Sequence, residues 1–222
     1  MKHLRRDLDG LQRQLLDLGA RVERAIHDAT TALFERDVGL ARQVVASERE
    51  IDVSEVELEE ECLKILALHH PVVGDLRFVI AALKVNNDLE RMGDAAESIA
   101  VRALQLAELP PVQVPAEFPH MVQCAKGMTR KALECLLQED VPLARQVLDD
   151  DQTVDAAHRA IFAVLQARMR AEPATIEACV LLLSTSRQVE RIADLATNIA
   201  EDVIFLHDGD IVRHRHGLSR LL

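Results

Sequence analysis

One segment occurs twice in this 222-residue chain, and its spacing indicates how the rest is organised. Each copy carries two carboxylates four positions apart, and positions four apart lie on one face of an α-helix. Two like charges on one face repel unless a cation lies between them, and a hard metal cation prefers oxygen ligands. The pattern therefore predicts two equivalent helices with acidic faces. The copies are Leu89-Glu90-Arg91-Met92-Gly93-Asp94-Ala95-Ala96-Glu97-Ser98-Ile99-Ala100 and, 100 residues later, Val189-Glu190-Arg191-Ile192-Ala193-Asp194-Leu195-Ala196-Thr197-Asn198-Ile199-Ala200.

A second pair of acids precedes each copy. The segment 37–44 reads DVGLARQV, and 140–147 reads DVPLARQV, at an offset of 103 residues. Under this offset, Glu48 and Asp52 correspond to Asp151 and Asp155. Each half of the chain therefore carries two acidic pairs on two successive predicted helices. An internal repeat on this scale predicts two similar structural units.

The composition favours an all-helical protein without a nucleic-acid surface. Apolar residues make up 49% of the chain, yet there is no Trp or Tyr and there are only five Phe. Such a Leu- and Ala-rich core is typical of helices rather than sheets. The net charge of −11 argues against nucleic acid, whose binding requires clustered Lys and Arg. The longest aliphatic run, 179–183, is too short to span a bilayer, so any membrane role is predicted to be peripheral.

Apolar periodicity and punctuation divide the chain into six long helices. They are predicted at about 5–35, 37–68, 74–108, 118–138, 140–171 and 174–206, with Asp37 and Asp140 as N-caps. The stretch 109–119 is the only proline-rich one and predicts a boundary. The predicted fold is all-α, with two tandem three-helix bundles related by a pseudo-twofold axis. Their predicted bounds are residues 1–108 and 116–222.

The acidic pairs of each unit are expected to meet on a surface shelf between two antiparallel helices. Glu90, Asp94 and Glu97 lie nearly opposite the apolar stripe of their helix, with no Lys or Arg among them. Small residues at 93, 95 and 193 leave room for close approach. Four carboxylates on such a shelf could hold one or several divalent ions. The predicted metal ligands are Glu48, Asp52, Glu90, Asp94, Asp151, Asp155, Glu190 and Asp194.

Two other interpretations of the acidic faces remain open. The first is a metal-free helical adaptor, because an acidic stripe is commonly just a solvated helix face. The second is a carboxylate-bridged di-metal oxidase, which takes a Glu-x-x-His motif from each of two helices. Asp155-x-x-His158 is the nearest approach and has the wrong acid. His214 and His216 form no ligand spacing, and Arg91 is expected to pair with a neighbouring helix.

The motifs resemble those of the PhoU family of phosphate-signalling proteins. The resemblance rests on PVVGDLR at 71–77, DLERMGD at 88–94, VERIAD at 189–194, TNIAEDVIFL at 197–206 and VRH at 212–214. It covers essentially the whole chain. Met92 and Ala193 depart from residues that are common in the family, and neither is a carboxylate.

The resemblance implies a set of functional expectations. The protein should be a cytoplasmic regulator without catalysis of its own, and a homodimer. It should act beside the ATPase subunit of a phosphate ABC transporter and a phosphate-sensing histidine kinase, repressing the starvation response when phosphate is plentiful. The family's acidic motifs carry metal ions, which assigns to the eight acids named above iron or another divalent cation, with Fe, Mn, Mg and Zn as the candidates.

Overall fold

Six long helices and one short 3₁₀ turn make up the described part of the molecule. The structure, a computed structural model, describes residues 2–208 and contains no strand there. The helices are α1 (Lys2–Glu35), α2 (Val38–His69), α3 (Gly74–Glu108), α4 (Glu117–Gln138), α5 (Val141–Ala171) and α6 (Ile176–Asp208). The all-α prediction is confirmed. The predicted end of the second unit at residue 222, and the two tail histidines at 214 and 216, lie outside the described residues.

The same turn joins α1 to α2 and α4 to α5. Each turn begins with a left-handed residue, Arg36 (φ 55°) or Glu139 (φ 51°). An aspartate follows, Asp37 or Asp140, whose carboxylate accepts a hydrogen bond of 2.9 Å from the backbone N–H three residues on. Such N-caps satisfy backbone donors that the first helical turn leaves unpaired. Both predicted caps are therefore confirmed, and the repeat extends to backbone geometry.

Helices α3 and α6 lie at the centre of the molecule. Helix α2 packs against α1 and α3, while α5 packs in the same way against α4 and α6. Helix α3 also packs along α6, so the two three-helix units share one continuous apolar core. Within residues 2–208, no helix has the uninterrupted apolar length that a bilayer span requires.

Polar contacts along α3 and α6 fix an antiparallel register. Lys84 lies 3.1 Å from the carboxylate of buried Asp202, and two further contacts follow the same register. Under the 100-residue offset, this pair maps onto Ser184 and Arg102, which also bond each other. The helices therefore cross about a pseudo-twofold axis at the level of Gly93 and Ala193. The contacts are Lys84–Asp202 (3.1 Å), Asn198–Asp88 (3.4 Å) and Arg102–Ser184 (2.5 Å).

The connection between the two units, residues 109–116, is held from both sides. The guanidinium of Arg36 donates to the Leu109 carbonyl at 2.7 Å. The guanidinium of Arg168, on α5, donates to the Gln113 carbonyl. The proline-rich segment thus bonds to one arginine from each half. The division into domains 1–108 and 116–222 stays a prediction.

Candidate metal centre

Two acidic clusters lie where the second and third helices of each unit pack together. The first seam is formed by side chains of α2 and α3, and the second seam by side chains of α5 and α6. All eight predicted ligands lie in these seams, four in each. The first seam comprises Glu48, Asp52, Glu55, Glu90, Asp94 and Glu97, and the second comprises Asp151, Asp155, Glu190 and Asp194.

A glycine brings α2 and α3 close together at the first seam. A Cβ on Gly93 would lie 3.1 Å from both Cδ1 and Cγ2 of Ile51, which is tighter than ordinary packing. At the equivalent positions of the second unit are Ala193 and Val154, both fully buried. Relative to Gly93 and Ile51, the second unit has one more carbon at position 193 and one fewer at position 154. Each pair therefore has nearly the same total side-chain volume. Close packing at this point places the acids of adjacent helices within electrostatic reach of one another.

The acids of the first seam perturb one another strongly. The pKa of Glu48 is raised to about 7, first by burial of its side chain. Charge repulsion and a hydrogen bond from Asp52, and then the charges of Glu97 and Asp94, also contribute to this value. The pKa of Glu90 is also raised, first by burial and then by the charge of Asp94. Neighbouring carboxylates that raise each other's pKa values lose their protons more readily when a bound cation offsets the repulsion between them.

The second seam shows the same effect with fewer acids. Burial, together with the charges of Asp155, Asp194 and Glu190, raises the pKa of Asp151 to about 6. One oxygen of Asp151, Oδ1, is buried without a hydrogen-bond partner. Asp194 is open to solvent on one side, yet partial desolvation and the charge of Glu190 raise its pKa too. An unpartnered buried oxygen is costly unless a donor or a cation satisfies it.

The two seams differ in how their charge is compensated. Arg187 Nη1 lies 2.7 Å from a carboxylate oxygen of Glu190, and Arg159 lies 3.4 Å from Asp155. In the first seam, no Lys or Arg nitrogen of residues 2–208 comes within 4.0 Å of any of the six acids. The role of Arg187 was not predicted from the sequence, although its three-residue spacing from Glu190 is a signal for such a pair. Arg91 was predicted wrongly, because it pairs with Asp88 of its own helix at 3.7 Å.

The donor chemistry of both seams fits a hard divalent cation. The available ligands are carboxylate oxygens, which Mg²⁺, Mn²⁺ and Fe²⁺ all accept. Within residues 2–208, no group of three or more His, Cys, Asp or Glu side chains is already arranged around a common point for a metal ion. Metal binding would therefore require these half-exposed side chains to change rotamer.

A surface groove elsewhere on the molecule has no connection with the acids. It encloses about 640 Å³ between the ends of α1, α3, α4 and α6. Its lining combines apolar side chains such as Leu8 and Phe78 with Asp9, Asp75 and Glu139, and includes no seam residue.

Comparison with known proteins identifies the family. The model of the PhoU domain matches residues 15–103 and 118–203. The chain belongs to the PhoU domain family. Each matched range contains one complete seam, so the duplicated acids are part of the duplicated PhoU domain.

Relatives and solved structures of the PhoU family cover nearly the whole chain. A phosphate-specific transport system accessory protein PhoU homolog of Aquifex aeolicus is 37% identical, covering 95% of this chain and 96% of its own length. The Pseudomonas putida homolog is 38% identical over 97% of this chain and 84% of its own. The crystal structure of PhoU from Pseudomonas aeruginosa superposes with a TM-score of 0.89 at 36% identity, covering 93% of this chain and 99% of that one. The two-unit helical fold is therefore that of the PhoU family.

Proposed function

We propose that this chain is a regulatory adaptor of phosphate uptake and of the phosphate-starvation response. It acts in the cytoplasm beside a phosphate ABC transporter, whose ATPase subunit it binds. It also binds a phosphate-sensing histidine kinase and keeps that kinase silent when phosphate is plentiful. The supporting observation is its similarity, over almost its full length, to proteins named phosphate-specific transport system accessory protein.

The surface offers contacts suited to an adaptor rather than to an enzyme. Val53, Val56 and Leu63 lie along the outer side of α2, and each is about half exposed. Apolar side chains grouped on a surface favour protein partners, including a second copy of the chain. The groove of about 640 Å³ contains none of the seam acids, which disfavours a di-metal oxidase with its substrate next to the metal.

Deletion of the gene tests the regulatory role. The deletion strain should express phosphate-starvation genes in rich phosphate, and the full chain supplied in trans should restore repression. Cross-linking in the complemented strain should recover the transporter ATPase and the kinase. Unchanged repression in the deletion strain, with neither partner recovered, would contradict the proposal. Sedimentation of the purified chain measures whether it forms the predicted homodimer.

We also propose that both seams bind divalent cations, with Fe, Mn, Mg and Zn as candidates. Glu48, Asp52, Glu90 and Asp94 would hold the ion or ions of the first seam, and their four counterparts those of the second. A bound cation supplies positive charge that neutralises the repulsion between the carboxylates. The raised pKa values and the unpartnered oxygen of Asp151 support this proposal.

Thermal unfolding with and without chelator tests cation binding through stability. A ligand that binds only the folded state stabilises it by mass action, at about 2.7 kcal/mol for a concentration 100 times Kd. The wild-type chain in Mn²⁺ should therefore melt at a higher temperature than in chelator, and Glu90→Gln with Glu190→Gln should show a smaller difference. Equal melting of the wild type in both conditions would favour the metal-free adaptor.

A further inference from the structure

The two seams differ one helical turn beyond the acidic pairs. Glu55 follows Asp52 on the same face of α2, and its counterpart on α5 is His158. Each is contacted from the facing helix by an equivalent residue. Asn86 Nδ2 donates to the backbone carbonyl of Glu55 at 2.9 Å and to its carboxylate at 3.4 Å, whereas His158 Nδ1 lies 3.1 Å from Ser186 Oγ. The repeat thus preserves the contact and replaces a carboxylate with an imidazole.

The hydrogen bonds of Ser186 determine which imidazole nitrogen carries the proton. Ser186 is buried, and its hydroxyl donates to the Leu183 carbonyl at 2.9 Å. A hydroxyl has one hydrogen, so in its contact with His158 it must be the acceptor. Nδ1–H is then the donor, and Nε2 of the neutral ring carries the free lone pair. Within residues 2–208, Nε2 has no hydrogen-bond partner.

This arrangement is the one that metal-binding histidines use. Such a histidine commonly donates one ring N–H to a protein acceptor, and this bond fixes the tautomer and the ring orientation for the other nitrogen to bind metal. His158 is half-buried on the face of α5 that also carries Asp151 and Asp155. Ser186 lies one turn before Glu190 on α6. The imidazole therefore lies in the α5–α6 seam, one helical turn beyond Asp155 on the same face of α5.

We propose that His158 Nε2 is a ligand of the cation in the second seam, so that the two seams select different metals. The inference rests on the proposed metal binding. The first seam is all-oxygen and suits Mg²⁺ or Mn²⁺, since among residues 2–208 no Lys or Arg nitrogen lies within 4.0 Å of its six acids. The second has four acids, two arginines and a neutral nitrogen donor, and suits Zn²⁺ or Fe²⁺. A neutral donor adds a ligand without adding charge.

Nitrogen NMR of the full chain tests both steps of the argument. Long-range ¹H–¹⁵N spectra of the metal-free protein, assigned with His158→Gln, should show His158 as the Nδ1–H tautomer, and Ser186→Ala should remove this preference. Adding Zn²⁺ should then shift Nε2 of His158. It should leave the exposed His70 unmoved, with His70→Gln as the assignment control.

Calorimetric titrations with Zn²⁺ and Mn²⁺ supply the selectivity readout. The Ser186 and His158 variants in these titrations also carry Glu90→Gln, which weakens cation binding at the first seam. In this background, Ser186→Ala should weaken Zn²⁺ binding by about tenfold and His158→Gln by at least as much, with little effect on Mn²⁺. Conversely, Glu55→His in the otherwise wild-type chain should strengthen Zn²⁺ binding at the first seam.

The outcomes separate this inference from the proposal on which it rests. If Zn²⁺ binds but Nε2 of His158 does not shift, or if the metal-free ring is the other tautomer, the inference is wrong and metal binding stands. If none of Zn²⁺, Fe²⁺, Mn²⁺ and Mg²⁺ binds the wild-type chain, both are wrong.

Discussion

Substitution of Gly93 by alanine probes the close packing of α2 and α3 on which the first seam depends. The new Cβ would lie 3.1 Å from two carbons of Ile51. The second unit has alanine at the equivalent position, opposite Val154. The repeat therefore supplies its own compensating change, Ile51→Val. We expect Gly93→Ala and Ile51→Val each to destabilise the protein, and the double variant to be close to the wild type.

The magnitudes follow from two opposing effects. Overpacking a buried site costs about 1–3 kcal/mol, whereas replacing glycine by alanine inside a helix stabilises by about 1 kcal/mol. Gly93→Ala should therefore lower the free energy of unfolding by about 1 kcal/mol. Ile51→Val alone should cost about 0.5–1.5 kcal/mol. In the double variant, loss of Cδ1 gives the rest of the side chain room to shift, and the net change should be below about 0.5 kcal/mol.

Urea unfolding of the four proteins in chelator measures this coupling without any contribution from bound metal. The double-mutant cycle should give a favourable coupling of about 1–2 kcal/mol. Simple additivity, with the double variant about 2 kcal/mol less stable than the wild type, would refute the packing argument. A stabilised Gly93→Ala single variant would refute it as well.

Three further outcomes are expected from stability measurements in chelator. Folded Glu48 keeps its proton up to about pH 7, whereas an unfolded glutamate loses it near 4.5, so this side chain destabilises the fold as pH rises from about 5 to about 8. Glu48→Gln should remove this pH-dependent loss of unfolding free energy, which is on the order of 1 kcal/mol after allowance for solvent screening. An unchanged dependence of the unfolding free energy on pH would contradict this prediction. Lys84→Met should cost about 2–3 kcal/mol because it removes the Lys84 charge from beside buried Asp202. Calorimetric unfolding measures this cost, and a loss well below about 2 kcal/mol would contradict the prediction. Asp140→Ala should cost about 1 kcal/mol by uncapping α5, whereas Asp140→Asn should be nearly neutral; equal losses in thermal melts would rule out the cap as the cause.

Local signals in the sequence predicted the helices and their caps. Apolar periodicity, two aspartates and the prolines placed all six helices to within about three residues, because these determinants act within one or two turns. The packing of α3 along α6 was not predictable in this way. Lys84 and Asp202 read as surface charges in the sequence, and only the tertiary arrangement buries one and pairs it with the other.

The acidic seams were predictable because they are duplicated. A single pair such as Glu90 and Asp94 resembles any solvated helix face, and the second copy made the pattern informative. The difference between the two seams was not predictable. Whether Arg187 pairs with Glu190 depends on rotamers, and the tautomer of His158 depends on a serine 28 residues away that must itself bond a third group.

The pseudo-twofold axis accounts for the similarity and for the differences of the two halves. The contact of Gly93 with Ile51 in the first unit corresponds to Ala193 with Val154 in the second, so a change at one position is offset by a change at its neighbour. Different compensations in the two units leave the first seam with more uncompensated negative charge than the second. The two proposed cation sites therefore differ in charge and in donor atoms.

Elemental analysis of protein purified without chelator tests the central proposal most directly. The wild-type chain, after dialysis against trace Fe²⁺, Mn²⁺, Mg²⁺ and Zn²⁺, should retain bound divalent metal. The matched variant with Glu90→Gln and Glu190→Gln should retain much less while keeping the wild-type helical signal. A wild-type protein free of metal after this exchange, or a variant with undiminished metal content, would contradict the proposal that the duplicated acids form cation sites.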